Sequence, residues 1–222
     1  MKSDALLDEL LDSPKLVLYF NELQNILQRE SERRKEFYAT FIDNEKVEFI
    51  NGKIVFYSPV SIGYNKDNLL LLRLISVFVD KYDLGYVAHG KIIISLTRND
   101  YEPDICFFSK SKSSQFSPGQ TQFSAPDLIV ETLTDSTEKR TKEIKIADYA
   151  AHKVTEYWLI NPEEQAIEQY ILQGDRYQLK TKSTSGNLQS VAITNLEFPV
   201  RAIFDIAENL NSLQSILLSS SD

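Results

Sequence analysis

Apolar positions along the chain follow helical spacing in four segments. Residues 14–36 and 62–82 predict two long helices, the second dense enough in apolar side chains to lie in the core. Residues 136–152, opened by "DSTE", and residues 202–218 predict two more. In the first segment the apolar positions recur every three or four residues, at Leu16, Phe20, Leu23 and Leu27.

Between these helices the chain carries short apolar runs of strand length. Asn51-Gly52 separates Val47–Ile50 from Lys53–Ser58, a pattern that predicts an antiparallel hairpin. Further strands are expected in "YVAHGKIIISL", "PDICFF", "PDLIVETL", "EYWLINP", "AIEQYIL", "RYQLKTK" and "SVAI". The order of the elements predicts an α/β (α+β) protein with one mixed β-sheet flanked by helices.

The length bounds the number of domains. With 222 residues and 42% hydrophobic content, the chain should form one main domain with terminal additions. We expect a helical N-terminal extension over residues 1–36, a domain over 37–200, and a C-terminal helix over 201–222 packed on that domain.

The net charge of -8 excludes a broad basic surface, so any contact with DNA should be confined to a groove or assisted by metal ions. The single cysteine, Cys106, lies in an apolar run and predicts a buried side chain without a disulfide. No basic leader and no apolar run of about 18 residues occurs, so we expect a soluble, cytoplasmic protein that does not bind membranes.

Pro-Asp occurs at the start of two successive apolar runs, as Asp104 and Asp127, and Glu131 stands near the end of the second run. If the two runs pair as antiparallel strands, Asp104 and Glu131 lie at the same end of the sheet and can converge on Mg²⁺. Alternatively, Pro-Asp is ordinary turn chemistry and Glu131 is solvated. Because Glu131 directly follows an apolar run, where an ionised group needs a partner, the spacing leaves both interpretations open.

Three stretches carry a family resemblance: "VEFINGKIVFYSPVS", "EPDICFF" and "PDLIVETLTDSTEKRTKEIKIADYAAHKVTEYWLINPEE". Together they resemble the Uma-two type family of bacterial restriction endonuclease-like proteins, within the PD-(D/E)XK nuclease superfamily. The resemblance implies a restriction-endonuclease-like core that binds Mg²⁺ or Mn²⁺ through Asp104 and Glu131. It also implies a supporting acid at Glu48.

The catalytic lysine of the superfamily usually lies two residues after the glutamate, where this chain has Leu133. The resemblance implies that Lys145 takes its place on the following helix. A helical projection instead puts Lys145 on the polar face, which by itself favours a solvated lysine. The chain also departs from the family pattern at Thr141, where an Asp is common, and at Tyr64, where a His is common.

The resemblance implies a metal-dependent phosphodiester hydrolase, a DNA endonuclease in which Asp104, Glu131 and Lys145 are catalytic and Asp104, Glu131 and Glu48 bind the metal. Asp127 is expected to serve only the start of its strand. DNA is the expected partner, and a homodimer would let two sites cut opposite strands. The alternative, favoured by the acidic charge and by Leu133, is a non-catalytic interaction or regulatory module that retains the nuclease fold.

Overall fold

The computed structural model describes residues 5–40, 46–133 and 139–219, and leaves the side chains of residues 40 and 139–142 undescribed. The helices are α1 Ala5–Leu11, α2 Leu16–Thr40, α3 Ile62–Lys81, α4 Lys110–Ser113, α5 Lys139–Ala151, a 3-10 helix Val200–Ile203 and α6 Ile206–Leu218. The strands are β1 Val47–Ile50, β2 Lys53–Phe56, β3 Gly85–His89, β4 Ile93–Ser95, β5 Asp100–Tyr101, β6 Ile105–Ser109, β7 Gln122–Phe123, β8 Leu128–Thr132, β9 Glu156–Asn161, β10 Ala166–Gln173, β11 Arg176–Ser183, β12 Asn187–Gln189 and β13 Glu197–Pro199.

The strands form two large mixed sheets and one small hairpin. The six-stranded sheet has the order β11-β10-β9-β8-β6-β3, with β8 and β9 parallel, and the five-stranded sheet has the order β2-β1-β5-β4-β7, with β4 and β7 parallel. The predicted α/β class with mixed sheets is therefore confirmed. The prediction of one sheet is wrong, because the run "YVAHGKIIISL" is broken at Gly90, whose φ of +74° turns the chain between β3 and β4.

The hairpin predicted at Asn51-Gly52 is confirmed. β1 and β2 pair antiparallel around these two residues, which have φ values of +49° and +74°, as the tight hairpin turn requires. The second strand ends at Phe56, two residues before the predicted end.

The central strands of the six-stranded sheet, β6, β8 and β9, are apolar on both faces, which explains why they read as continuous apolar runs. Alternate residues of its central strands face α3 and α6, and the intervening residues face a second cluster that includes Tyr149 of α5. Cys106 lies fully buried in this second cluster, as predicted. In strand β8, Val130 faces the first cluster and Ile129 the second, so Glu131 lies on the face covered by α5.

Several predicted boundaries differ from the structure. "SVAI" forms no strand, and β12 and β13 lie on either side of it. The C-terminal helix begins only at Ile206, because the Asp205 side chain accepts a hydrogen bond from the Glu208 amide and caps it there. The predicted cap of the helix over 136–152 falls at residues 134–138, outside the described residues. The long helix predicted over 62–82 is confirmed as α3.

Helix α2 crosses the predicted boundary at residue 36 and ends at Thr40, and the division of the chain into 1–36, 37–200 and 201–222 stays a prediction. No helix within the described ranges is both long and apolar enough to cross a membrane.

Gly85 begins β3 where the strand passes close to β6. A Cβ atom at Gly85 would overlap the carbonyl oxygen of Phe108 and lie 2.9 Å from the amide of Lys110. We expect Gly85→Ala to lower the free energy of unfolding by about 3 kcal/mol, measured by urea denaturation, because the backbone of both strands must shift.

Gly90→Ala is the matched control, since Gly90 also has positive φ but no atom within 4 Å of an added Cβ. This substitution should cost only the backbone strain of about 1 kcal/mol. Equal losses in the two variants would contradict the packing argument.

Candidate active site

The pairing of β6 with β8 brings the two acidic positions together. The strands are antiparallel, and Ile105 lies opposite Val130. One step further along this register, Asp104 stands opposite Glu131, and directly opposed residues point to the same face of a sheet. The expectation that these two positions lie at the same end of the sheet is therefore confirmed.

Lys145 reaches from α5 into a buried position between two glutamates. Its Nζ atom donates to Glu48 Oε1 at 2.8 Å and to the two carboxylate oxygens of Glu131 at 3.0 and 2.9 Å. Only 2% of Lys145 is exposed, so the solvated position favoured by helical periodicity is wrong. The periodicity pattern counts lysine as a solvent-facing residue, whereas the two buried carboxylates make an inward position favourable for this one.

The ionisation of Lys145 follows from this position. Burial alone would lower its pKa, but the negative charges of Glu131 and Glu48 outweigh that effect and hold the pKa well above its usual value. Lys145 therefore stays protonated and cannot serve as a base at neutral pH.

Tyrosines and backbone amides satisfy the remaining oxygens of the two glutamates. Tyr149 donates its hydroxyl to Glu131 Oε1 at 2.6 Å, and Tyr57 donates to Glu48 Oε2 at 2.5 Å. The amide of Glu102 donates to Glu48 Oε1 at 3.0 Å. Burial, followed by the charge of the neighbouring glutamate, raises the pKa of both phenols, so both remain protonated donors.

Asp104 has a separate set of partners. Lys46 Nζ donates to Oδ1 at 2.8 Å, while the Tyr64 hydroxyl and the Thr132 amide donate to Oδ2 at 2.5 and 2.8 Å. Tyr64 thus takes up the position where the resemblance leads one to expect a histidine. As a phenol it donates to the carboxylate without adding a titratable group near neutral pH, because burial and the Asp104 charge raise its pKa.

A cleft of about 260 Å³ opens beside Asp104. It is lined by Lys46, Tyr64, Asn65, Asn68, His89, Gly90, Lys91, Glu102, Pro103 and Asp104. Its lining thus includes two lysines and two asparagine amides, which suit a phosphate group. Glu48, Glu131 and Lys145 do not line this cleft, so the site has an outer part around Asp104 and an inner part around Lys145.

The carboxylates have the donor chemistry that a hard divalent cation requires, with Asp104 and Glu131 opposed on one sheet face. In the described part of the chain, however, no three acidic, histidine or cysteine groups converge on one ion-sized position. Ammonium groups hold the carboxylates instead: Lys46 holds Asp104, and Lys145 holds Glu48 and Glu131. A cation bound between Asp104 and Glu131 would replace some of these contacts.

Asp127, the second Pro-Asp aspartate, has the structural role predicted for it. Its carboxylate accepts a hydrogen bond from the Ser109 amide at 2.7 Å and pairs with Lys112 at 2.8 Å. These contacts fix the start of β8 against the end of β6.

Three residues of the site were not predicted from the sequence: Lys46, Tyr57 and Tyr149. Lys46 lies two residues before Glu48, a spacing that places two residues of an extended chain on one face. Tyr149 lies one helical turn after Lys145 and shares its face. Both spacings are visible in the sequence, but they identify site residues only once the structure shows that Glu48 and Lys145 face the site.

Replacement of Lys145 by methionine should destabilise the fold strongly. The substitution leaves Glu48 and Glu131 buried without a cation, and we expect the free energy of unfolding at about pH 8 to fall by about 4 kcal/mol. Burial already raises the pKa of Glu131 in the wild type, and removing the Lys145 charge raises it further, so the additional loss of stability appears above the unfolded pKa of about 4.3 and grows with pH. Urea denaturation should therefore show a smaller loss at about pH 5 than at about pH 8.

Lys110→Met is the control, because Lys110 pairs with Asp83 at the surface, where both side chains are mostly exposed. This variant should lose less than about 1 kcal/mol at either pH. A pH-independent loss in Lys145→Met would contradict the buried-charge explanation.

Comparison with known proteins places these features in a family. Residues 34–201 match the profile of the Uma2 family, described as "Putative restriction endonuclease". "Uncharacterized protein sll1609" of Synechocystis sp. (strain ATCC 27184 / PCC 6803 / Kazusa) is 27% identical over 148 residues, which cover 65% of this chain and 82% of that protein. A similar fold is found in the crystal structure of "a putative nuclease belonging to DUF820" from Anabaena variabilis ATCC 29413, which superposes with a TM-score of 0.67. The two chains are 18% identical, and the superposition covers 79% of this chain and 97% of the other. The match across residues 34–201 shows that this chain belongs to the Uma2 family of restriction endonuclease-like proteins.

Proposed function

We propose that this protein is a metal-dependent phosphodiester hydrolase, a DNA endonuclease of the PD-(D/E)XK type. The observation that carries the proposal is the opposition of Asp104 and Glu131 at one end of the β6–β8 pair, beside a cleft with cationic side chains. The nuclease-like family and fold support the same activity.

Asp104 and Glu131 would hold the cation, Mg²⁺ or Mn²⁺, and Glu48 would support it. When bound, such a cation supplies a Lewis acid that stabilises charge on the phosphate and lowers the pKa of a water. Asp104 is suited to the exposed side of this arrangement because it lines the cleft, whereas Glu131 lies behind it with 9% of its surface exposed.

The two lysines would have different roles. Lys145 is buried between Glu48 and Glu131, so it orients these acids and compensates their charge. Lys46 lines the cleft with about a third of its side chain exposed, and it is therefore the lysine that can contact a phosphate oxygen. Burial opposes a charge on Lys46, but Asp104 and Glu131 outweigh it and raise the pKa, so Lys46 acts as a cationic donor.

DNA is the proposed substrate because the cleft offers charges and amides that recognise a phosphodiester backbone. Lys46, Lys91 and the amides of Asn65 and Asn68 surround the opening beside Asp104. A local site of this kind is compatible with the net charge of -8, since the contact does not require a basic face across the molecule.

One observation favours the alternative, a non-catalytic interaction or regulatory module with the nuclease fold. Lys145 already pairs with both inner carboxylates with good hydrogen-bond geometry and is nearly inaccessible to solvent. A protein in which the Lys145 ammonium group has taken the place of the divalent metal ion would keep this arrangement but would not cleave DNA. Binding and cleavage measurements separate the two functions.

Cleavage of supercoiled plasmid in Mg²⁺ or Mn²⁺ is the direct test. We expect metal-dependent nicking by the wild type and a loss of at least about 100-fold in Glu131→Gln and Asp104→Asn, because both variants remove a carboxylate charge from the site. Lys46→Met should lose a similar factor through the missing phosphate contact.

Asp127→Asn is the matched control for the cleavage test, because it alters the other Pro-Asp aspartate, which holds Ser109 and Lys112 instead. It should retain wild-type nicking, as should any correctly folded surface variant purified identically. Nicking that survives Glu131→Gln would indicate a contaminating nuclease and overturn the assignment.

Stabilisation by Mn²⁺ distinguishes the enzyme from the non-catalytic module. A cation that binds only the folded protein raises Tm by an amount that grows with the logarithm of its concentration relative to its Kd. We expect Mn²⁺ to raise the Tm of the wild type and of Asp127→Asn but not that of Asp104→Asn. Equal shifts in all three proteins would exclude a cation site at Asp104, and no shift in any of them would favour the module.

A further inference from the structure

Helix α2 has one continuous face that is buried at one end and exposed at the other. Along this face lie residues with alternating spacings of four and three: Leu16, Phe20, Leu23, Leu27, Glu30, Arg34 and Phe37. Such a 3.5-residue repeat is the pattern of a helix that packs along another helix or along a fixed surface. We call this row of residues the α2 seam.

The C-terminal half of the seam packs on the domain. Phe37 is buried with Phe49 of β1. The Arg34 side chain extends from α2 to β5, where it donates two hydrogen bonds to the Asp100 carboxylate at 2.5 and 2.8 Å. Glu30 accepts two more from Arg98 at 2.8 and 2.7 Å. Beyond Glu30, towards the N-terminus, the seam leaves the domain.

The N-terminal half of the seam is apolar and exposed. Phe20, Leu23 and Leu27 are 55%, 51% and 52% exposed, and Leu16 is 37% exposed. Val17 and Tyr19, at flanking positions of the same face, are also exposed. Water therefore covers the part of the seam with the most apolar residues, which is unfavourable for a protein that remains a monomer.

The area of this face matches what a dimer contact requires. The apolar side chains of the seam and its flanks expose an area of the same order as the ~800 Å² that one partner contributes to a standard interface. Two copies of the same heptad seam can pack against each other, because each apolar residue of one helix inserts between seam residues of the other helix.

The charge of this region argues against a membrane as the occupant. Residues 5–28 contain four acids, Asp8, Glu9, Asp12 and Glu22, and one base, Lys15. Helices that lie on anionic lipid surfaces are instead rich in lysine and arginine on their polar face. The family match begins only at residue 34, so the exposed part of the seam lies outside the region shared with the family.

We propose that the N-terminal half of the α2 seam is a homodimer interface in which two copies of this chain pack α2 against α2. The inference is independent of the proposed nuclease activity, since it uses no residue of the acidic site. In such a dimer the two packed α2 helices would lie between the two domains. Each seam would continue into its own domain through Glu30 and Arg34.

Sedimentation or light scattering on the full chain tests the proposal. We expect the wild type at micromolar concentration to have twice the 25.5 kDa chain mass, and Leu23→Glu/Leu27→Glu to have the mass of one chain. Because both leucines are exposed in the monomer, this variant should keep wild-type circular dichroism. Its urea midpoint should not depend on protein concentration, whereas that of the dimeric wild type should rise with concentration.

Leu18→Glu/Asn25→Glu is the matched control, since it adds the same two charges on the opposite face of α2. It should remain a dimer. A monomeric wild type would overturn the proposal, and a seam variant that still dimerises would place the contact elsewhere. Binding of a monomeric wild type to vesicles containing phosphatidylserine would identify a membrane as the occupant instead.

Discussion

The arrangement of the candidate site depends on one buried ammonium ion. Glu48 belongs to the five-stranded sheet, Glu131 to the six-stranded sheet and Lys145 to α5, so the Lys145 contacts join three elements from different parts of the chain. Two carboxylates this close and this deeply buried would repel each other and lack solvation. A single ammonium ion between them reduces the repulsion, donates hydrogen bonds to both carboxylates and thereby links the two sheets to α5.

This arrangement also defines what the site can do chemically. The inner acids are oriented by Lys145, Tyr57 and Tyr149, all of which stay protonated, so their geometry is held without a titration near neutral pH. The outer carboxylate, Asp104, shares the cleft with Lys46, which is the lysine that would contact the phosphate in the proposed enzyme. In the proposed enzyme, a divalent cation and an ammonium group compete for the same carboxylates. If the divalent cation binds the carboxylates more favourably than the ammonium group does, the protein can be a nuclease. If it does not, the protein retains only the fold.

The α2 helix links this site to the periphery of the molecule. Arg34 binds Asp100, whose strand β5 pairs with β1 next to Glu48, so the buried half of the seam supports the sheet that carries an acid of the site. The exposed half extends beyond the region that matches the family. A contact made there by a second chain would thus be rigidly connected to the domain without altering its cleft.

The sequence alone determined a good part of this protein. Asn51-Gly52 predicted its hairpin correctly because the turn is a local property of two residues, and the apolar runs predicted the buried strands β6, β8 and β9 because continuous burial on both faces requires them. The resemblance, carried by the motifs around Asp104 and Glu131, predicted the family. Tertiary structure decided the rest. It divided the strands between two sheets at Gly90, turned Lys145 inward against the polar pattern of its own helix, and brought Lys46 to Asp104. Those outcomes depend on which charges meet across elements distant in sequence, and local periodicity contains no information about such partners.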